Sequence, residues 1–207
     1  MTTTIYLIRH GQTQSNVDGY HMGWSDEDLN ATGYAQAGIL AGRLAEVPFA
    51  SVYTSSSKRA FTTAAIIARP HGIAPKPMTE FREINYGDWA GQKRNEMREK
   101  YPDIAHRLRV DPLDVVIPGG ESFKQVAERA MRGFDAIIAA EKDRCVAIVS
   151  HSVPLKILVA NILGVPHSMW ERFGMGNTSI STVQISDGIP RLLNLNDMTH
   201  LDGRAPV

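Results

Sequence analysis

Short β-branched runs and longer stretches with helical spacing alternate along most of the chain. Residues 4–8 (TIYLI) form the first run and predict a buried strand that stops at Arg9-His10-Gly11, where charge begins. Between Thr32 and Ala45, Ala37, Leu40, Ala41 and Leu44 recur at helical spacing, with Asn30 or Thr32 available as the cap. A second run, Ala50 to Thr54, leads through Ser55-Ser56-Ser57 into a serine-capped helix. Its apolar face is Ala60, Phe61, Ala64, Ala65 and Ala68, and Pro70 ends it. The clearest helix runs from Ser122 to about Glu141, with Phe123, Val126, Ala127, Ala130, Met131, Phe134, Ile137 and Ile138 on one face. Ser122 and Gln125 fit a capping box there. Cys145–Ser150 predicts a strand, and after His151 an almost wholly apolar helix spans Val153 to Leu163 and closes at Gly164. Ile180–Ile185 and Arg191–Leu195, divided by Asp187-Gly188, predict a hairpin.

This alternation predicts an α/β fold of three layers, α/β/α, with a mostly parallel central sheet covered on both faces. A chain of 207 residues, 43% apolar, is expected to form one domain over 1–207 with one core. The stretch from Ile84 to Pro118 is the least regular and reads as a lid-like insertion over the sheet. Lysine plus arginine equals aspartate plus glutamate at 22 each, so no nucleic-acid partner is expected and any anion site must be local. The lone Cys145 adjoins an apolar run and reads as a small buried hydrophobe. Neither a signal peptide nor an apolar stretch of roughly 20 residues is present, so a cytoplasmic protein without a membrane partner is expected. Oligomeric state is not legible, a homo-oligomer being as open as a monomer.

In open α/β sheets, ligands bind beyond the carboxyl ends of the strands. His10 and His151 each follow a predicted strand, and Arg59 lies in the first turn of the helix that follows another. A tetrahedral dianion suits this convergence, because arginine presents a fixed fork of donors to phosphate oxygens and keeps its charge. Arg9, Arg59 and a protonated His151 could supply the neutralisation that metal ions supply elsewhere. The seven histidines stand at 10, 21, 71, 106, 151, 167 and 200, without metal-ligand spacing, so no metal is expected. A nucleotide P-loop is also missing.

Residues 7–13 (LIRHGQT), 55–64 (SSSKRAFTTA), 82–91 (REINYGDWAG), 118–122 (PGGES) and 149–151 (VSH) together resemble the histidine phosphatase superfamily, with its phosphoglycerate mutase-like fold. The resemblance extends from residue 4 to about 185. It implies that His10 is the nucleophile that forms a phosphohistidine, and that Arg9, Arg59 and His151 line the phosphate pocket. It also implies that Asn16 contacts the phosphate and that Glu83 is the proton donor and later the base. Taken without the family, Glu83 reads equally well as an exposed loop carboxylate pairing with Arg82 or Lys58, and Asn16 as a turn former. Gly119-Gly120 reads either as a turn or as a source of amides for an anion. Ser152 stands where the family usually has glycine and reads as a helix cap. A phytase-like branch carries its acid at that position, which Ser152 cannot replace, so Glu83 is left as the donor. Asp28 replaces a usual proline in a loop expected to be exposed.

The resulting expectation is a metal-independent phosphatase that hydrolyses small-molecule phosphomonoesters without a cofactor. The alternative is a cofactor-dependent phosphoglycerate mutase, which would need 2,3-bisphosphoglycerate. Mutases of the family usually carry a longer insertion than 84–150 provides, and a shorter lid favours hydrolysis. A third reading is an inactive module that binds a phosphorylated ligand. Trp24, Tyr86, Trp89 and Arg94, with Met97 and Tyr101 nearby in sequence, are candidates for the substrate mouth, against simple packing. Arg94, Arg98, Arg107 and Arg109 fit either a carboxylate site or a solvated helix face.

Overall fold

The computed structural model describes residues 2–201. The strands are β1 (Thr2–Arg9), β2 (Phe49–Ser55), β3 (Lys76–Met78), β4 (Cys145–Ser150), β5 (Ile180–Ser186) and β6 (Ile189–Asp197). The helices are α1 (Gln14–Asp18), α2 (Ala31–Leu44), α3 (Lys58–Ala68), α4 (Arg94–Lys100), α5 (Pro102–Val110), α6 (Phe123–Ala140) and α7 (Ser152–Leu163). The six-stranded sheet has the order β3-β2-β4-β1-β5-β6, with β1 to β4 parallel and β5 antiparallel to both β1 and β6. The expected mostly parallel α/β sheet is therefore what the chain forms.

Strand alternation divides the core into two faces. Ile5 and Leu7 of β1, with Val146 and Ile148 of β4, pack against Phe134 and Ile137 of α6 and Leu155, Leu158 and Val159 of α7. Ile8, Ala147 and Val149 point the other way, onto Leu40 and Leu44 of α2 and Ala60, Ala64 and Ile67 of α3. At about 25 cal/mol per Å² of apolar surface removed from water, these two faces are the main stabilising contribution. A third cluster joins Ile84, Trp89, Met97 and Ile117 of the insertion to Phe123 and Val126 of α6 and Ile157 of α7.

The predicted Ser122–Gln125 capping box forms, and Gly164 ends α7 in the left-handed region at φ 64°. The serine cap of α3 does not. Ser57 makes no capping bond, and Asp26 Oδ1 accepts the Lys58 N–H from across the fold at 3.0 Å instead. The insertion is more regular than its pattern indicates, because it contains α4 and α5. Helix α5 fully buries no residue and α4 only Met97; the apolar side of α5 is reduced to Ile104 and Leu108, partly buried against the third cluster, too short a stripe to stand out among its charges. Strand β3 also went unread, being three residues long with proline at its centre. Among the described residues no helix is long and apolar enough to cross a membrane.

Candidate active site

β1, β2 and β4 run the same way, so their carboxyl ends open on one edge of the sheet. Arg9 of β1 pairs with Ser150 of β4, and the next residues out, His10 and His151, therefore leave the sheet side by side. Their ring centroids are 5.0 Å apart. The His10 N–H donates to the Ser150 carbonyl at 3.0 Å, and its carbonyl accepts from Asn177 Nδ2 at 3.0 Å and the Thr178 N–H at 3.3 Å.

The His10 Nδ1 lies 2.7 Å from the Gly11 carbonyl. A carbonyl only accepts, so Nδ1 carries the proton and Nε2 keeps its lone pair. Burial, reinforced by Arg59 and Arg9, holds the ring well below the usual imidazole range, so it stays neutral. His151 is fully buried, with Nε2 2.8 Å from Ser55 Oγ and no protein partner for Nδ1. The surroundings of His151 disfavour the protonated form expected from the sequence. Burial first, then Arg59, His10, Arg129 and Arg9, hold it well below the usual range. Its charge has to arrive with an anion.

A cavity of about 380 Å³ opens at this edge, within the range of small-molecule sites, and Arg9, His10, Asn16, Arg59 and Glu83 share its wall. His151 stands behind that wall. Arg9 donates through Nη1 to the Met175 carbonyl at 2.6 Å, while its buried Nε has no partner. Burial lowers Arg9 to about 10, which leaves it cationic at neutral pH. Arg59 donates to the carbonyls of Ser25 at 2.9 Å and Gly23 at 2.7 Å and so fixes the loop over the site. Gly23 has φ 51°, and a Cβ there would meet the Ile84 carbonyl at 2.9 Å, so this loop lies directly on the segment that carries Glu83.

Glu83 is 8% exposed and accepts the Ile84 N–H on Oε1 at 2.9 Å, which overturns the exposed-loop reading. Its suggested partners are engaged elsewhere: Lys58 pairs with Asp28 at 3.3 Å, and Arg82 lies 4.3 Å from the centre of the Trp24 ring. Burial raises the Glu83 pKa against the Ile84 hydrogen bond and the charges of Arg59, Arg9 and Arg129. The shift is toward the acid form, the direction a proton donor requires. Asn16 is both turn former and wall residue. Its Oδ1 accepts from the Thr13 N–H and from Asn177 Nδ2, which leaves its own Nδ2 for a ligand.

Of the mouth candidates, Tyr86 and Arg94 line the cavity. Trp24 does not; its indole N–H donates to the Glu83 carbonyl at 2.8 Å. Trp89 is 2% exposed and stacks on Tyr101 at 5.5 Å, so it is packing, as is the buried Met97. Ser152 is not a cap: His151 occupies the cap position of α7, and Ser152 lines the cavity. Gly119-Gly120 forms a turn, with the Gly120 N–H on the Ile117 carbonyl at 2.8 Å. Asp28 is half-buried and ties its loop to α3 by accepting from Thr62 Oγ1 at 3.0 Å. Burial pushes the Cys145 thiol up to about 11, in keeping with an inert cysteine.

Sequence reasoning missed Arg129, which interrupts the apolar face of α6 and is 9% exposed. All five of its N–H donors are engaged. Nε and Nη2 hold the two carboxylate oxygens of Glu121 at 2.9 and 3.0 Å. Nη1 takes the carbonyls of Glu80 and Arg82 at 2.7 and 2.6 Å, and Nη2 also takes that of Glu83 at 3.0 Å. Glu121 in turn accepts the Asn85 N–H at 2.8 Å, so the pair brackets Glu83 from both sides. An arginine on an otherwise apolar helix face was the available signal.

A neutral imidazole with a free Nε2, beside buried guanidinium groups and a carboxyl that burial shifts toward its acid form, is equipped to receive a phosphoryl group. At the carboxyl edge of a mostly parallel α/β sheet, such a site fits a phosphoryl-handling enzyme. The family model described as histidine phosphatase superfamily (branch 1) matches residues 5–198, and the chain belongs to that family. It is 32% identical over 197 residues to phosphoserine phosphatase 1 of Hydrogenobacter thermophilus, covering 95% of this chain and 93% of that one. It is 30% identical to the probable phosphoglycerate mutase GpmB of Escherichia coli, covering 97% and 96%. Among solved structures, Bacillus stearothermophilus YhfR superposes with a TM-score of 0.90 at 32% identity, covering 96% and 99%.

Proposed function

We propose that this protein hydrolyses small-molecule phosphomonoesters in two steps through His10. Membership of the superfamily and a phosphatase-named relative make the chain a phosphomonoester hydrolase. The observation that carries the mechanism is the His10 Nδ1 contact with the Gly11 carbonyl, which fixes the tautomer that leaves Nε2 free to attack. In the first step Nε2 attacks phosphorus in line, the ester P–O bond breaks, and Glu83 gives its proton to the departing oxygen. Arg9 and Arg59 stabilise the charge on the equatorial oxygens, Asn16 adds a donor, and His151 adds a second imidazole that the dianion brings into its charged form. In the second step ionised Glu83 takes a proton from water, whose oxygen attacks phosphorus and releases His10. No resident metal or cofactor enters either step.

Rapid quenching into alkali during turnover of a phosphomonoester tests this reading. An acid-labile phosphoryl group should be recovered on His10 and be absent from His10→Ala. Label on a serine or an aspartate overturns the nucleophile assignment. The mutase reading has a named relative behind it, and supplying 3-phosphoglycerate with 2,3-bisphosphoglycerate separates the two. Release of inorganic phosphate supports hydrolysis, whereas interconversion of phosphoglycerates supports transfer.

A further inference from the structure

Met22 and Gly23 line the cavity, but Trp24, the next residue along the loop, does not, and the proposed chemistry gives it no part. At 41% exposed it is not a core residue either. Its loop is nonetheless fastened to α3. Arg59 donates to the carbonyls of Gly23 and Ser25, the two residues that flank Trp24, at 2.7 and 2.9 Å. Asp26 Oδ1 accepts the Lys58 N–H at 3.0 Å, and Asp28 accepts from Thr62 Oγ1 at 3.0 Å and pairs with Lys58 at 3.3 Å. The backbone on either side of Trp24 is thus fixed to the first turns of the helix that presents Arg59 to the cavity. From that base the indole reaches the segment carrying Glu83. Its Nε1 donates to the Glu83 carbonyl at 2.8 Å, and the Arg82 guanidinium covers its ring, 4.3 Å from the centre.

The carbonyl that Trp24 holds is one edge of a rigid unit. The Glu83 C=O and the Ile84 N–H belong to a single planar peptide, so fixing the oxygen fixes the direction of the N–H. That same N–H donates to Glu83 Oε1 at 2.9 Å. A grip on the backbone oxygen therefore aims the side chain. Donation to a carbonyl also polarises the amide across the peptide plane and makes its N–H a stronger donor. Arg129 Nη2 reaches the same oxygen from α6 at 3.0 Å, so the peptide is held from two separate elements, and loss of the indole leaves it held from one. We propose that Trp24 is a positioning residue for proton transfer: its indole N–H, acting through the Glu83–Ile84 peptide, orients the Glu83 carboxyl toward the oxygen that departs from phosphorus. This inference rests on the two-step reading above, in which Glu83 supplies that proton. It makes residues 23–28 a brace between Arg59, which grips the phosphoryl group, and the acid that protonates the leaving group.

Trp24→Phe tests the proposal, because it keeps an aromatic ring against Arg82 and removes the donor. For an alkyl phosphate kcat/KM should fall about 3- to 10-fold, the scale of one hydrogen bond. For p-nitrophenyl phosphate, whose phenolate leaves without a proton, it should barely change. The same substitution placed in Glu83→Gln should cost nothing further on the alkyl phosphate, since the proton that Trp24 positions is already gone. An unchanged kcat/KM for the alkyl phosphate overturns the proposal. So does a loss that is equal for both substrates, or one that adds in full to that of Glu83→Gln, either of which makes Trp24 a packing residue of its loop. Those outcomes leave Glu83 as the acid wherever Glu83→Gln still separates the two substrates. If Glu83→Gln does not separate them, the assignment of the acid falls, and this inference with it.

Discussion

At the scale of single residues, the site is organised as opposite shifts on neighbouring groups. Burial pushes His10 down and Glu83 up, shifts that favour a neutral imidazole and a protonated carboxyl, the forms the proposed nucleophile and acid need. The sign of each limb follows. Activity falls at low pH as His10 gains a proton, which its depressed pKa postpones. It falls at high pH as Glu83 loses its proton, which its raised pKa also postpones. Glu83→Gln should remove the alkaline limb in kcat/KM for an alkyl phosphate and lower it by roughly 10²- to 10⁴-fold, the range for general-acid catalysis. With p-nitrophenyl phosphate, whose phenolate leaves without help, the loss should be far smaller. An equal loss for both substrates would make Glu83 a binding or structural group.

At the scale of elements, Arg129 shows what holds that carboxyl in place. Its guanidinium ties α6 to the carbonyls of Glu80, Arg82 and Glu83, and its charge opposes the raised Glu83 pKa. Arg129→Lys keeps the charge but cannot span those acceptors. It should therefore depress kcat/KM for alkyl phosphates more than for p-nitrophenyl phosphate, repeating the Glu83→Gln pattern in weaker form. Arg129→Gln also removes the opposing charge and should move the alkaline limb to higher pH. Equal losses on both substrates with an unmoved limb would reduce Arg129 to a fold-stabilising residue. The convergence of the candidate groups was legible because parallel strands deliver their exits to one edge: His10, His151 and Arg59 sit at chain positions that topology alone brings together. Arg129, Ser55 and Asn177 were not, since the contacts that bring them to the site, with Glu83, His151 and Asn16, span 46, 96 and 161 positions and no local period encodes them. The cap assigned to Ser152 and the mouth role assigned to Trp89 failed for a related reason. Residue type is compatible with several neighbours, and only the tertiary approach of α7 and of the insertion decides which one is met.

At the scale of the whole molecule, the end of α6 fastens the amino-terminal edge of the sheet with a carboxylate that no catalytic step uses. Glu141 is 3% exposed and accepts from Ser51 Oγ at 2.6 Å and Tyr53 hydroxyl at 2.8 Å, both on β2. Lys76 of β3 approaches the same oxygen at 3.4 Å, and Arg144 the other oxygen at 3.4 Å. Burial raises the Glu141 pKa, but the hydroxyls and the lysine outweigh it and leave the carboxyl below its ordinary value. A folded-state pKa below the unfolded one contributes stability that is fully present above the unfolded value and lost as pH falls through the folded one. Glu141→Gln should thus destabilise the protein by about 2 kcal/mol at neutral pH, the scale of hydrogen bonds to a charged group. The difference in unfolding free energy should stay level down to roughly pH 5 and close only below the carboxylate range near 4. Denaturant unfolding of both proteins across that range checks it. A gap that is constant at every pH would assign the loss to packing, and one that widens on acidification would reverse the sign of the linkage.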